Sequence, residues 1–251
     1  MNALILAAGY ATRLYPLTLS KAKPLLEVAG KPIIEWVANQ LMPIQTLETV
    51  YVVTNQKFTA DFSTWAREYQ SKGDGPGITV VDDGTSSDSE KRGAIGDIHF
   101  VLNAKNIYGS DLLVVAGDNL FSEPLAEFAE YSVPRRAVLG VYDVKSLDLA
   151  RKYNQLRTNS VGILTDFEEK PANPSSTICG IALYYYGPEA LHLLDLYIQE
   201  GNNPDQPGLF VQWLYKRLDV FTFPVRGLWS DIGSRETLAE ASSLFGSLSR
   251  G

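Results

Sequence analysis

The feature that most limits the fold is the run Ala3-Leu4-Ile5-Leu6-Ala7-Ala8, apolar throughout and stopped at Gly9. Such a run fits a strand buried on both faces of a parallel sheet, which requires helices to cover it. The pattern then repeats along the first half of the chain. Pro32 opens a helical stretch with Ile34, Val37, Ala38 and Leu41 on one face, and residues 49–54 (TVYVVT) read as a second strand. Phe58, Phe62, Trp65 and Tyr69 recur at spacings of three or four, a stripe more suited to a core than to a ligand. A third strand is read at 78–82, a helix from Ala94, and a fourth strand at 111–116 that stops at Gly117-Asp118-Asn119. Ser122 with Pro124 opens the next helix.

The second half changes character. Strands are expected at 137–144, 161–168 and 177–186, helices at 188–199 and 208–217, a strand at 218–223 and a final helix at about 234–245. Strand–helix alternation to residue 131 predicts an α/β protein with a mostly parallel central sheet covered on both faces. No proline- or glycine-rich linker divides the chain, so 1–251 reads as one domain with a small substrate-binding lobe. Its first half, about 1–131, would hold nucleotide and phosphate. The stretch 132–233 would hold the second substrate, and 234–251 would form a C-terminal helix and tail.

Composition removes several classes of function. The net charge is −7, from 22 basic and 29 acidic residues, so the basic field that nucleic acid needs is missing. One cysteine rules out an internal disulfide framework, and two histidines rule out a histidine-rich zinc site; a metal here would be a hard ion on carboxylates. No run of 18 apolar residues occurs and no basic leader precedes the first strand, so no membrane association and a cytoplasmic location are expected.

Four groups of residues carry candidate chemistry. Gly9-Tyr10-Ala11-Thr12-Arg13 follows the first strand: it reads either as an anion-binding turn with Arg13 as a fork of donors, or as a tight turn with solvated basic groups. Lys23, stiffened by Pro24, belongs with it; neither the P-loop nor the GxGxxG string is present. Asp118 ends an apolar strand, at the edge where open α/β sheets bind ligands, and suits a magnesium ion that bridges phosphates. Asp231, between Trp229 and Gly233, is a second candidate ligand, although spacing alone leaves each acid equally readable as a cap or turn residue. Glu168-Glu169-Lys170-Pro171 reads as a charged turn, or as a pair in which Glu169 meets hydroxyls and Lys170 a phosphate. Cys179 has no histidine nearby in sequence and reads as a small core residue.

Taken together, these pieces resemble the sugar-1-phosphate nucleotidyltransferases. The signature GxGTR, nine residues, then Lys is met by Gly9, Thr12, Arg13 and Lys23. The stretch from Lys23 to Ile34, then Gly117-Asp118-Asn119, Glu169-Lys170-Pro171, Gly180-Ile181 and Trp229-Ser230-Asp231-Ile232-Gly233 occur in the family's order. The resemblance implies a three-layer Rossmann-like nucleotidyltransferase fold. It also implies Mg2+-dependent transfer of a nucleotidyl group from a nucleoside triphosphate, UTP or dTTP favoured, to a hexose 1-phosphate or another phosphorylated alcohol.

In this scheme Arg13 and Lys23 hold the phosphates, and Leu6, Ala8, Gly9, Tyr10, Ala11, Thr12, Asp82, Gly93 and Gly117 line the nucleotide. Asp118 and Asp231 ligate Mg2+, while Asn119, Glu169, Lys170 and Gly180 meet the acceptor. A homodimer or tetramer is also implied. Three departures from the pattern stand out. Ala11 replaces the second signature glycine, so its methyl requires an ordinary backbone or modest strain. Val81-Asp82-Asp83-Gly84 stands where many relatives place a base-reading glutamine, and Asp97 stands where a neutral residue is usual. The chain ends soon after the Asp231 motif, so a C-terminal acetyltransferase domain is not expected. Competing readings are a cytidylyltransferase for phosphocholine or an inositol phosphate, with Tyr184, Tyr185 and Tyr186 as one face of an aromatic cage, and a non-catalytic nucleotide-sugar sensor.

Overall fold

A computed structural model describes residues 1–73 and 75–248. In chain order the strands are β1 (Asn2–Leu6), β2 (Glu27–Val28), β3 (Lys31–Pro32), β4 (Thr49–Thr54), β5 (Gly77–Asp82), β6 (Leu112–Ala116), β7 (Asn119–Phe121), β8 (Ala137–Asp143), β9 (Asn154–Thr158), β10 (Leu164–Glu169), β11 (Ile178–Tyr186), β12 (Phe221–Pro224) and β13 (Trp229–Asp231). The helices are α1 (Ile33–Leu41), α2 (Thr59–Gln70), α3 (Ala94–Lys105), α4 (Ala126–Ser132), α5 (Leu147–Ala150), α6 (Pro188–Gln199), α7 (Pro207–Leu214) and α8 (Arg235–Leu248). They form two compact units that interleave along the chain. One holds Met1–Lys91, Val115–Ala126 and the segment from Gly227 on; the other holds Arg92–Val114 and Glu127–Arg226. The division therefore differs from a cut near residue 131: α3 joins the later unit, and the chain returns to the first unit at Gly227.

The first unit is a β-α-β-α-β alternation. β1 pairs in parallel with β4 (Leu6 opposite Val53), and β4 in parallel with β5 (Thr54 opposite Asp82). Residues Ala3 to Ile5 are fully buried, as a two-face strand requires. The α1 face buries Ile34, Val37, Ala38 and Leu41, and α2 buries Phe62 and Trp65. Tyr69 of that stripe donates to Asn39 Oδ1 at 2.8 Å, and burial pushes its phenol up to about 12. The end of β6 meets the end of β1: Gly117 N–H donates to Leu6 O at 2.8 Å. A Cβ at 117 would meet Leu6 O at 2.9 Å and Pro24 Cγ at 3.3 Å, so only glycine permits this approach.

Two short pieces complete the unit. β7 and β13 pair antiparallel, with Asp231 opposite Asn119. Beneath them a cluster of Val28, Ile33, Trp36, Leu120, Ile232, Ala241 and Phe245 is buried, with Trp36 and Phe245 in edge contact at 5.4 Å between ring centres. α8 thus serves as the floor under the β7–β13 pair.

In the second unit β8 pairs antiparallel with β11 and in parallel with β12, and β9 and β10 form an antiparallel hairpin with an irregularity between Leu164 and Asp166. Tyr184, Tyr185 and Tyr186 are 7%, 0% and 2% exposed, so all three belong to the core. Phe210 of α7 packs edge-on against both Tyr186 and Tyr197. Cys179 is buried on β11, and burial pushes its thiol up. Among the described residues no helix is long and apolar enough to cross a membrane.

Candidate active site

The site is assembled from the carboxyl ends of the first unit's strands, where open α/β sheets leave room for ligands. After β1 the chain turns at Gly9 into a single turn of 3-10 helix, Thr12–Leu14. Ala11 stands at φ 48°, ψ 44°, in the left-handed region that costs an L-residue about 1–2 kcal/mol. Two hydrogen bonds to its carbonyl hold it there, from Thr18 Oγ1 at 2.9 Å and Leu14 N at 3.0 Å. Gly9, Thr12 and Arg13 are exposed, and the Arg13 guanidinium makes no hydrogen bond or ion pair within the described residues.

Beneath the turn, Asn55 Nδ2 donates to Ala8 O at 2.9 Å, which fixes the carbonyl after β1. Tyr10 is buried with its hydroxyl 3.3 Å from Thr85 Oγ1; Thr85 in turn gives both its N–H and its hydroxyl to Asp83 Oδ1. Burial, then the nearby acids led by Asp83, raise the Tyr10 phenol. Asp82 accepts from Gly84 N at 2.8 Å, an Asx turn that ends β5 beside this network.

Lys23 opens a second 3-10 turn, Lys23–Leu25, with Pro24 behind it. Its ammonium pairs with Asp118 Oδ2 and donates to Ile232 O at 3.0 Å, with side chains only 16% and 22% exposed. Asn119 is the junction. Its Nδ2 donates to Asp118 Oδ1 at 3.0 Å and reaches Asp231 Oδ1 at 3.4 Å, while its Oδ1 accepts from Trp229 Nε1 at 2.9 Å. One buried amide therefore aligns both acids, and Lys23 offsets part of their charge. Two aligned hard carboxylates, with the rest of a shell left to water and phosphate oxygens, match what Mg2+ takes from a protein. No group of three or more histidine, cysteine or acidic side chains converges among the described residues.

The remaining candidates lie in the second unit, and each is placed by its neighbours there. Glu169 ends β10; its N–H donates to Gln212 Oε1 at 3.0 Å, and its carboxyl lies in the space a Cβ of Gly208 would fill. Burial pushes that carboxyl up to about 7, against the pull of Lys170. Lys170 stands at φ 50° and sends Nζ to Gln206 Oε1 at 3.0 Å. Gly180 has its N–H and C=O both engaged by the Asn154 amide, at 2.6 and 2.9 Å. Gly93, before α3, stands at φ 79° against the backbone of Pro204 and Asp205.

Lys23, Asp118, Asn119 and Asp231 thus touch one another, while Glu169, Lys170, Gly93 and Gly180 are held separately in the other unit. Trp229, Asn154, Gln206 and Gln212 were not singled out from sequence. Trp229 had a local signal: two residues before Asp231 on a strand, it points to the same face. Asn119 was read as an acceptor-binding group; its amide here gives both N–H groups to the two acids and accepts from Trp229 Nε1.

A parallel β-α-β-α-β core with a glycine turn after its first strand and acids at the carboxyl edge defines an α/β protein of Rossmann-like design. The nucleotidyl transferase family model matches residues 2–246, and the chain belongs to that family. A UTP–glucose-1-phosphate uridylyltransferase of Haloferax volcanii, AglF, is 30% identical over 203 residues, 80% of this chain and 78% of that protein. The bifunctional protein GlmU of Methanocaldococcus jannaschii is 24% identical over 242 residues, 96% of this chain and 53% of that protein. The chain thus spans about half the length of some curated relatives it matches. A UDP-glucose pyrophosphorylase solved with UDP-glucose shares the fold, with a TM-score of 0.80 at 21% identity over 98% of both chains. The mixed sheet with its covering helices is the nucleotidyltransferase core that these structures share.

Proposed function

We propose that the chain transfers a nucleotidyl group from a nucleoside triphosphate to a sugar 1-phosphate, releasing pyrophosphate and a nucleotide sugar. The observation that carries this reading is the meeting of Lys23, Asp118, Asn119 and Asp231 around one buried amide. UTP with glucose 1-phosphate is the favoured pair, since the relative at 30% identity is a UTP–glucose-1-phosphate uridylyltransferase.

In the transfer, an acceptor phosphate oxygen attacks the α-phosphorus, the bond from that phosphorus to the bridging oxygen breaks, and pyrophosphate leaves with the electron pair. Catalysis of this kind is mainly positioning and charge stabilisation, with no covalent enzyme intermediate. The exposed Arg13 guanidinium meets the departing phosphates bidentately, and Lys23 neutralises charge near the α-phosphate. Asp118 and Asp231 would hold Mg2+, which supplies charge neutralisation between the phosphates when bound. Lys170 grips the acceptor's phosphate and Glu169 its hydroxyls.

A choline acceptor loses its support, because Tyr184, Tyr185 and Tyr186 are core residues and leave no face of a cage for a quaternary ammonium. Glu169 favours a polyhydroxylated acceptor. The test is pyrophosphate release with Mg2+ over a matrix of nucleoside triphosphates against sugar 1-phosphates, inositol phosphate and phosphocholine. Release that needs UTP or dTTP together with a hexose 1-phosphate supports the proposal. Release with CTP and a non-sugar phosphate would replace it, and silence in a sample that binds nucleotide would leave a sensor.

A further inference from the structure

The first turn of α7 is built in an unusual way. Its N-cap residue, Gln206, does not cap its own helix with its side chain; that amide instead accepts from Lys170 Nζ. Pro207 follows at the start of the helix, where a missing N–H is harmless. Next comes Gly208, buried, in a helix that otherwise reads Leu-Phe-Val-Gln-Trp-Leu. Glycine at a helical position costs up to about 1 kcal/mol relative to alanine, and no positive φ at 208 calls for it. Its reason is spatial: the Glu169 carboxyl, Oε2 foremost, takes the place of the missing side chain. One helical turn further on, Gln212 accepts the Glu169 N–H at 3.0 Å. Glutamine at 206, no side chain at 208 and glutamine at 212 therefore fix the lysine amine, the glutamate carboxyl and the glutamate backbone respectively.

We infer that Gln206, Gly208 and Gln212 are positioning residues for the acceptor: the first turns of α7 set where Glu169 and Lys170 present their charges, and so which acceptor the second unit selects. This rests on the reading that Glu169 and Lys170 grip the acceptor. It assigns to α7 a role that does not follow from any contact of its own with substrate. The β9–β10 hairpin fixes the backbone of the pair, with Lys170 N–H on Tyr153 O at 2.8 Å, so what α7 adds is the placing of the two side chains. Lys170 occupies the left-handed region, and its amine donates to the neutral Gln206 amide. A displacement of about an ångström in such a group is enough to cost a large factor in turnover.

The experiment is steady-state kinetics on the full chain with Gly208→Ala, Gln212→Met and Gln212→Glu, the last of which keeps an acceptor oxygen for the Glu169 N–H. Glu169→Ala is measured alone and combined with Gly208→Ala. The expected result is a rise of about tenfold or more in acceptor KM for Gly208→Ala and Gln212→Met, with triphosphate KM moved by less than about twofold. Gln212→Glu should recover part of that loss. In the Glu169→Ala background the added methyl at 208 should cost almost nothing, because the carboxyl it evicts is gone.

An unmoved acceptor KM in folded Gly208→Ala and Gln212→Met would overturn the inference while leaving the proposed function standing. An equal cost of Gly208→Ala with and without the Glu169 carboxyl would overturn it too, by showing a packing role only. If wild type releases no pyrophosphate with any pair in the matrix, the functional reading itself falls and takes the acceptor role with it. Should Gly208→Ala fail to fold, Gln212→Met and Gln206→Ala carry the same KM comparison.

Discussion

Each unit presents a lysine with an acid, and the two pairs are built on opposite principles. Lys23 and Asp118 are 95 residues apart in sequence and form an ion pair, with Asn119 and Asp231 closing the group. Glu169 and Lys170 are adjacent, yet the Glu169 N–H and the Lys170 amine each go to a neutral glutamine amide, Gln212 of α7 and Gln206 at its N-cap. In the first arrangement each member has another as its partner; in the second the amine meets a neutral amide, and the half-buried carboxyl, pushed up to about 7, is only partly ionised near neutral pH. A group that must hold a fixed geometry is suited by mutual pairing. A group that must accept a varied ligand is better served by a scaffold that withholds a counter-charge.

The largest expected effect breaks the first pair's network. Asp231→Asn keeps the shape but removes a charge, and turnover should fall by about 10²–10³ with nucleotide affinity little changed. Pyrophosphate release and equilibrium nucleotide binding read the two separately, and unaltered turnover would remove Asp231 from the reacting centre.

The second contrast uses glycine in both units. At Gly117 an added Cβ meets a backbone carbonyl, which cannot move, whereas at Gly208 it meets the end of a flexible side chain. Gly117→Ala should therefore cost about 1–3 kcal/mol of stability in urea titration. Gly208→Ala should show its effect in acceptor KM rather than in the unfolding midpoint.

The third concerns pH. Glu169, facing Lys170 and the Tyr184 phenol, is raised from 4.5 to about 7 by burial. Between those values the folded chain holds a proton that the unfolded chain has released. Its contribution to stability is thus complete below about pH 4.5 and lost as pH rises through about 7. Thermal unfolding midpoints across that window should slope downward with rising pH, and Glu169→Gln should flatten the slope; an unchanged slope would assign it to other groups.

The smallest effect is at Ala11, whose left-handed backbone suits glycine better. Ala11→Gly should raise stability by about 0.5–1 kcal/mol in denaturant titration. A loss instead would show that the methyl packs usefully in the turn.

Much of the scaffold was legible. β4 and α6 fall on the residues that the pattern indicated, because an apolar run or a stripe at helical spacing is recorded locally. The helix signalled by Ser122 and Pro124 begins at Ala126 instead, and the helix read at 208–217 is Pro207–Leu214. β7 and β13 escaped detection. Three residues carry no period, and their pairing brings Asp231 to Asn119 across 112 positions. The roles of Asn119 and Asn154 were hidden for the same reason, since what each amide bonds to is decided by tertiary approach. Tyr184–Tyr186 could be read as one face of an aromatic cage, and the structure buries all three. The turn after β1 could be read because its glycine stop is recorded locally, whereas the pairing of Lys23 with Asp118 could not. The α7 support could not, because a glycine chosen to make room for another segment's carboxyl looks in sequence like any glycine in a helix.

The buried Cys179 has a practical consequence. It is the chain's single thiol, fully covered on β11, with its deprotonation pushed upward and its sulfur directed to the Thr177 carbonyl. A thiol that neither ionises readily nor meets solvent reacts slowly with alkylating reagents. The native chain is therefore already a near-silent background for maleimide labelling. A cysteine introduced on an exposed position can carry a fluorophore or spin label without first altering the core.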